Sequence, residues 1–198
     1  ADPRPLTRQP KSADLKVPRE FRVQQLAGHA DVGSLSAITF DEQERLIVGR
    51  EDGQLWRLTD EDQDGAIDTR QNHGKLTDSC QGLLAHEDAL FISGLGPNGL
   101  GVYRLTDQDQ DGVLDTIKSV LKFSGKHQEH GPHGITWGPD GKIYVMVGNH
   151  CQLPITKEPA AGPYRHTYEG DLIRPRFEDP GGHANGIKAP VPSIRLLR

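Results

Sequence analysis

Two stretches of nearly identical sequence decide the fold: RLTDEDQDGAIDT at residues 57–69 and RLTDQDQDGVLDT at residues 104–116. They begin 47 residues apart, and 10 of the 14 positions that start at Trp56 and Tyr103 are identical. Each stretch runs from a strand-like segment into an acidic loop. The loops therefore predict ion-binding sites, and their spacing predicts a repeated structural unit.

Each loop follows the pattern D-x-D-x-D-G-x-x-D. Oxygen atoms at loop positions 1, 3, 5 and 9 can converge on a hard cation because glycine at position 6 permits a sharp turn, and the carbonyl at position 7 adds another oxygen. The predicted calcium ligands are eight aspartates: Asp60, Asp62, Asp64, Asp68, Asp107, Asp109, Asp111 and Asp115. Without a cation these carboxylates would repel one another.

The loops differ from EF-hands in two respects. The glutamate of position 12 is replaced by Gln71 and Lys118, and each loop follows a strand rather than a helix. They are therefore predicted to be calcium loops of the DxDxDG type on a β scaffold, where the ion has a structural role. The alternative is a solvated acidic turn without an ion.

The sequence around the loops repeats in copies that start near residues 37, 82 and 134. Each copy has an apolar strand, a polar turn and a second strand, and the first two copies continue into a third strand that ends at the acidic loop. The alternation of Leu46 and Val48 with more exposed neighbours fits a strand with one buried face. We expect an all-β fold, with three to four blades of a β-propeller favoured over a β-sandwich.

The repeat sets the predicted domain boundaries. Residues 1–20 contain four prolines and little apolar sequence, which predicts an extended N-terminal arm. Residues 21–198 are predicted to form a partial β-propeller domain. Three clear copies would leave strand edges and an apolar face open, so we expect a later segment of a longer protein or a second polypeptide to complete the ring.

Composition excludes several classes of protein. The net charge of −5 argues against nucleic acid as a partner. No apolar run is long enough for a transmembrane segment, and the chain shows no signal peptide pattern. Cys80 and Cys151 lack the spacing of zinc knuckles or haem attachment sites, and either a disulfide or two buried thiols is compatible with them.

Histidines concentrate in GKHQEHGPHGITWGPDGKIYVMVGNHC, residues 125–151. In a propeller, the residues before the innermost strand lie near the central axis, which predicts that several imidazoles face one cavity. His130 could act as a general base oriented by Glu129. A second interpretation is a transition-metal centre, and a third is a set of structural hydrogen bonds to nearby turns. The candidate metal ligands are His130, His133, His150 and His183.

The segment HGPHGITWGPDGKIYVMVGN resembles soluble quinoprotein sugar dehydrogenases, six-bladed propellers that bind pyrroloquinoline quinone (PQQ) and calcium. The resemblance places His130 on the catalytic base of that family and Glu129 on the acidic residue before it. It also implies a set of residues that contact the cofactor, with Asn149 standing where the family has aspartate. That set is Cys80, Gln81, His133, Asn149 and His150.

Residues 21–192 are still more similar to the propeller module of large secreted bacterial proteins named membrane-bound dehydrogenases. The motifs that carry this similarity are CQGLL, GVYRLTDQDQDG, EHGPHGI, GPDGKIYVMVGNH and DPGGHANGI. The resemblance implies a periplasmic or extracellular enzyme that oxidises a sugar or alcohol. His130 would remove the hydroxyl proton, hydride would pass to the quinone, and a cytochrome c would accept the electrons.

Two other functions remain open from the residues alone. One is a non-catalytic, calcium-stabilised propeller that binds a carbohydrate or a protein partner. The other is a metal centre built from His130, His133 and His150. The metal content of the purified protein and its visible spectrum would separate these functions from the quinone enzyme.

Overall fold

The computed structural model describes the residues in the ranges 16–21, 23–127, 131–148, 150–152, 172–173 and 193–197. Within them the chain is all-β, with a single four-residue helix, α1 (His29–Val32). The predicted fold class is confirmed at this level. No helix in these ranges is long and apolar enough to cross a membrane.

Sheet 1 contains the first repeat copy and is a simple antiparallel meander. Its strands, which hydrogen-bond in chain order, are β1 (Leu35–Phe40), β2 (Leu46–Arg50), β3 (Gln54–Thr59) and β4 (Thr69–Lys75). The polar turn after β1 is held by Asp41, whose Oδ1 accepts hydrogen bonds from the backbone N–H groups of Gln43 (3.1 Å) and Arg45 (2.9 Å). Such short-range carboxylate bonds explain why aspartate starts the turn.

Sheet 2 contains the second copy and has the same order of strands. They are β5 (Gly82–His86), β6 (Ala89–Gly96), β7 (Gly99–Thr106) and β8 (Thr116–Lys122). One sequence repeat thus corresponds to one four-stranded antiparallel sheet. The fourth strand of each sheet follows the acidic loop.

The third copy begins sheet 3, whose order is β10-β11-β14-β13, and a separate two-stranded sheet pairs β9 with β12. Strand β14 runs parallel to β11, unlike the third strand of the other sheets. The six strands are β9 (Ser124–Gly125), β10 (Pro132–Trp137), β11 (Lys142–Val147), β12 (Cys151–Gln152), β13 (Leu172–Ile173) and β14 (Ser193–Leu197).

The three sheets stack in sequence through two apolar cores. Between sheets 1 and 2, Ile47 and Leu55 pack with residues of sheet 2 that include Leu83 and Ile92. Between sheets 2 and 3, the core is formed by Leu84, Phe91, Val102, Ile135, Ile143 and Val145, among others. A smaller core on the other face of sheet 1 joins Leu46, Val48 and Leu58 to Val32 of α1. The first strands β1, β5 and β10 are neighbours in this stack.

Glycine allows the close approach of sheets 1 and 2. A Cβ atom on Gly49 of β2 would overlap Cys80 Sγ and lie 3.2 Å from Leu83 Cδ1. The sequence predicted that the neighbours of Leu46 and Val48 would be more exposed than these two residues. This is wrong for Ile47, which lies between them and is only 3% exposed. Sheet 1 packs on both faces at this strand, so alternation of exposure is lost.

The cysteines, for which a disulfide was one alternative, are both buried thiols with no disulfide between them. Cys80 belongs to the core between sheets 1 and 2, and Cys151 belongs to the core between sheets 2 and 3. Burial raises the pKa of the Cys80 thiol to about 12, so it stays protonated at neutral pH.

Candidate metal sites

Each acidic loop connects the third and fourth strands of its sheet. The first acidic loop (residues 60–68) joins β3 to β4, and the second acidic loop (residues 107–115) joins β7 to β8. A backbone hydrogen bond closes each loop at its base, from Asp68 N–H to Thr59 O (2.9 Å) and from Asp115 N–H to Thr106 O (3.1 Å). The strand pair thus fixes where the loop begins and ends.

The geometry of the first acidic loop is stabilised by its own carboxylates. Asp60 Oδ2 accepts a hydrogen bond from Gly65 N–H (2.8 Å), and Asp64 Oδ1 accepts one from Ala66 N–H (2.7 Å). Gln63 and Gly65 have φ values of 60° and 88°, which is the left-handed region. Glycine at loop position 6 therefore permits the turn, as the motif predicted.

The second acidic loop repeats this arrangement. Asp107 Oδ2 accepts a hydrogen bond from Gly112 N–H (2.7 Å), and Asp111 Oδ1 accepts one from Val113 N–H (2.8 Å). Gln110 and Gly112 have φ values of 61° and 90°. Two loops with the same sequence pattern therefore adopt the same backbone conformation in different sheets.

Each loop brings three carboxylates together, with one oxygen from each within 4.8 Å of the others. The two groups are Asp60, Asp62 and Asp64, and Asp107, Asp109 and Asp111. In both groups the Oδ1 atom of the first aspartate is buried and has no hydrogen-bond partner. A buried carboxylate oxygen without a partner is costly, and a hard cation is the ligand that would satisfy it.

The aspartates at loop position 9, predicted as a fourth ligand, are not part of these groups. Asp68 Oδ2 accepts a hydrogen bond from Glu61 N–H (2.7 Å), and Asp115 Oδ1 accepts one from Gln108 N–H (3.1 Å). The bonds from Gln108 N–H and from the side chain of Thr116 lower the pKa of Asp115, because they stabilise its ionised form. These aspartates brace the loop, and their role as ligands stays a prediction.

The second acidic loop docks on sheet 1. Arg57 Nη1 on β3 donates to Gly112 O (3.1 Å) and also to Gln71 Oε1 on β4 (2.9 Å). The buried Nδ1 of His73, also on β4, accepts a hydrogen bond from Leu114 N–H (3.1 Å). The loop of one sheet is therefore held by side chains of the preceding sheet.

His73 is 3% exposed, and its pKa is lowered to about 4. Burial is the main cause, and the positive charges of Arg57 and Arg45 add to it. The imidazole is therefore neutral at pH 7, with Nδ1 as the acceptor. No sequence motif marks this residue, because its partner is a backbone group 41 positions away.

The first acidic loop is contacted by the N-terminal segment instead. Gln24 Nε2 donates to Gly65 O, the position equivalent to Gly112 O in the second loop. Gln24 precedes Gln71 by the same 47 residues that separate the loops, and each glutamine lies beside the glycine of the following loop. That spacing was visible in the sequence and could have identified Gln24 as a loop contact.

The other predicted site residues are only partly described. Gln81 precedes β5, and half-buried His133 lies near the start of the neighbouring strand β10. Their strands meet there, since Ser93 Oγ donates to His133 O and Gly82 also approaches that carbonyl. The Cys80 side chain is buried in the core, and exposed His150 lies in the turn before β12. Their cofactor roles stay predictions.

Four predicted residues lie outside the described part of the chain: Glu129, His130, Asn149 and His183. The structure therefore does not describe the distances from His130 or His183 to the other candidate histidines. Within the described residues, the two three-carboxylate groups are the clusters whose ligand atoms lie close enough together to hold a metal ion.

Across the described part of the chain, the fold is all-β and consists of repeated four-stranded sheets, two of which carry an acidic loop between their third and fourth strands. The chain belongs to the family described as Domain of unknown function (DUF7133), whose model matches residues 8–168. A comparison with curated proteins gave no match.

Proposed function

We propose that this chain is a calcium-stabilised β-propeller module in which each four-stranded sheet is a blade and each acidic loop binds one Ca²⁺. Asp60, Asp62 and Asp64 would hold the first ion, and Asp107, Asp109 and Asp111 would hold the second. Carboxylate oxygens at this spacing are the ligands that Ca²⁺ prefers. The stacking order of the sheets and the meander topology of sheets 1 and 2 support the propeller.

One observation carries the proposal: the same carboxylate oxygen is buried and unpartnered in both loops. Asp60 Oδ1 and Asp107 Oδ1 have no hydrogen-bond donor within the structure, although the other oxygen of each carboxylate is bonded to a backbone N–H. In a solvated acidic turn without an ion, this oxygen would be expected to face water in both loops. A bound cation would compensate its desolvation and the mutual repulsion of three carboxylates.

The proposed ions would act on packing rather than on catalysis. Gly112 O and Leu114 N–H of the second acidic loop are bonded to Arg57 and His73 of sheet 1. An ion that orders this loop therefore also orders the contact between sheets 1 and 2. The first acidic loop would fix the N-terminal segment in the same way through Gln24.

Thermal unfolding with calcium and with chelator tests this proposal. Occupancy of a site at a concentration about 100-fold above its Kd adds about 2.7 kcal/mol, so saturating Ca²⁺ should raise Tm by at least about 5 °C. Asp107→Asn should remove about half of that gain, because one of the two sites is lost. Its matched control is Asp88→Asn, which removes the same charge at a residue exposed outside both loops.

A Tm that is equal in calcium and in chelator would overturn the proposal. So would a calcium-dependent gain that Asp107→Asn and Asp88→Asn reduce equally, because it would then depend on net charge alone. Far-UV circular dichroism of each variant at low temperature would show that the comparison is made between folded proteins.

A second candidate is quinone-dependent oxidation of a sugar or alcohol, supported by the position of Gln81 and His133 at the start of adjacent strands. Both belong to the cofactor-contacting set that the sugar dehydrogenase resemblance implies. In this function Gln81 and His133 would help to hold the quinone, which would supply the hydride acceptor. His130 would take the hydroxyl proton, with Glu129 beside it, and a periplasmic or extracellular cytochrome c would receive the electrons.

Dye-linked oxidation after reconstitution with PQQ tests the second candidate. His130→Ala should abolish activity, whereas His127→Ala, at an exposed position three residues earlier, should leave it unchanged. Intact activity in His130→Ala would exclude this residue as the base. Elemental analysis addresses the remaining alternative, because a stoichiometric transition metal would favour a centre at His130, His133 and His150 over the quinone.

A further inference from the structure

The first acidic loop lies between the two strands whose side chains hold the second acidic loop. Strand β3 ends at Thr59, directly before the first loop, and β4 begins at Thr69, directly after it. These two residues are paired across the strands, as are Arg57 and Gln71 two residues further into the sheet. The base of the first loop is therefore two residues away from Arg57, whose side chain contacts the second loop.

The contact made by Arg57 reaches the proposed calcium ligands of the second loop through Gly112. Arg57 Nη1 donates to Gly112 O (3.1 Å), and the N–H group of Gly112 donates to Asp107 Oδ2 (2.7 Å). The N–H group of the next residue, Val113, donates to Asp111 Oδ1 (2.8 Å). A side chain of β3 is therefore bonded to the backbone that positions two of the three carboxylates proposed for the second ion.

Strand β4 supplies a second contact with the same loop. His73 lies two residues beyond Gln71, and its Nδ1 accepts a hydrogen bond from Leu114 N–H (3.1 Å). In sheet 2, the positions equivalent to Gln71 and His73, 47 residues later, are occupied by Lys118 and Val120. The link from one loop to the next is therefore a property of the junction between sheets 1 and 2 and not of the repeat in general.

We propose that the two calcium sites are coupled, so that an ion in the first acidic loop raises the affinity of the second loop for calcium. This inference rests on the proposed function, because it needs an ion in each loop. Ca²⁺ in the first loop would offset the repulsion among its carboxylates and fix the paired ends of β3 and β4. The side chains that hold the second loop would then be in place before its ion binds, which lowers the ordering cost of binding. By linkage, an ion in the second loop raises the affinity of the first by the same factor.

The sign of the coupling distinguishes this link from an interaction through space. Two bound Ca²⁺ ions repel one another, so sites that interact only through their charges would bind the second ion more weakly than the first. Ordering through β3 and β4 acts in the opposite direction, because it strengthens binding of the second ion. Positive cooperativity is therefore the specific signature of the contacts at this junction.

Calorimetric titration of the whole chain with CaCl₂, on protein freed of divalent ions, measures the coupling. Asp60→Asn and Asp107→Asn each leave one site, and the product of their two dissociation constants is the value for independent sites. The product of the two constants of the wild type should be smaller by at least about fivefold. Arg57→Gln, introduced into the wild type and into both single-site variants, should bring this ratio toward one. Arg104→Gln, which removes the equivalent arginine of sheet 2, should leave the ratio unchanged.

A ratio of one or below in the wild type would overturn the inference and leave the proposed function standing. A ratio that Arg57→Gln and Arg104→Gln leave equally large would also overturn it, because the link would not pass through this contact. A chain that binds no Ca²⁺ would overturn the proposed function and the coupling with it. Far-UV circular dichroism checks the fold of each variant. If Arg57→Gln does not fold, Gln71→Ala replaces it, because it removes the acceptor that orients Arg57 Nη1 (2.9 Å).

Discussion

Two polar side chains, those of Arg57 and His73, contact the second acidic loop at the junction of sheets 1 and 2. Arg57 is largely buried, and burial, together with the nearby charge of Arg45, lowers its pKa. His73 accepts one hydrogen bond through Nδ1, while its Nε2 is buried without a partner. Each side chain has a hydrogen-bond partner in the second acidic loop, and this bond offsets part of the cost of burying it.

His73 predicts how stability depends on pH. Its pKa is about 4 in the folded protein and about 6.5 in the unfolded chain, so the unfolded chain binds the extra proton between these values. The contribution of His73 to the free energy of unfolding is therefore fully present above about pH 6.5, and it falls as the pH decreases toward 4. The loss from this residue should reach about 2–3 kcal/mol at the low end of that window.

Urea unfolding at several pH values, in chelator to exclude ion release, measures this effect. His73→Gln keeps an acceptor for Leu114 N–H but cannot be protonated, so its stability should fall less steeply below pH 6.5. His29→Gln, at an exposed histidine of α1, should keep the wild-type slope. Equal slopes in the wild type and in His73→Gln would show that His73 does not titrate in this window.

The two acidic loops are alike as elements but differ in what holds them. The second loop is held by Arg57 of sheet 1. The equivalent residue of sheet 2, Arg104, pairs instead with exposed Asp88 (2.9 Å). Arg57→Gln should therefore lower the calcium affinity of the second loop by about tenfold, since loss of a charged hydrogen bond costs at least about 1.5 kcal/mol.

The matched variant Arg104→Gln should leave both calcium affinities at the wild-type value. Calorimetric titration in the background of Asp60→Asn isolates the second loop and makes the comparison direct. If Arg57→Gln binds calcium there as tightly as Arg104→Gln does, the docking of the loop on sheet 1 does not support the ion site.

The approach of β2 to sheet 2 also gives a prediction. Gly49→Ala should destabilise the protein by about 1–3 kcal/mol, because its Cβ would overlap the buried Cys80 Sγ. Gly134→Ala is the control, since its nearest atom would be Met146 Cε at 3.8 Å, an ordinary contact. Denaturant midpoints of the two variants should therefore differ clearly, and equal midpoints would mean that sheets 1 and 2 can separate at β2 without cost.

The sequence predicted those elements whose apolar pattern or turn chemistry repeats. The first three strands of sheets 1 and 2 and both acidic loops follow directly from the 47-residue period. The fourth strands, β4 and β8, could not be placed because they are mostly polar and pair only along one edge of their sheet. Helix α1 has four residues, too few to produce a period, and the contacts of His73 depend on tertiary packing alone.

For the molecule as a whole, the three described sheets pack against one another in chain order. Apolar packing joins neighbouring sheets, and the second acidic loop adds polar contacts at the edge of the first interface. A cation at that loop would therefore stabilise more than the loop itself. This expectation separates a structural calcium site from an exposed ion-binding turn, which would leave the stability of the sheets unchanged.

Isothermal titration calorimetry with CaCl₂, on protein freed of divalent ions, measures directly whether the two acidic loops bind calcium. Two Ca²⁺ should bind per chain at millimolar or lower Kd. Asp60→Asn and Asp107→Asn should each remove one ion, and Asp88→Asn should remove none. A wild-type chain that binds no Ca²⁺ up to several millimolar, or whose binding is unchanged by both loop substitutions, would contradict the proposed function.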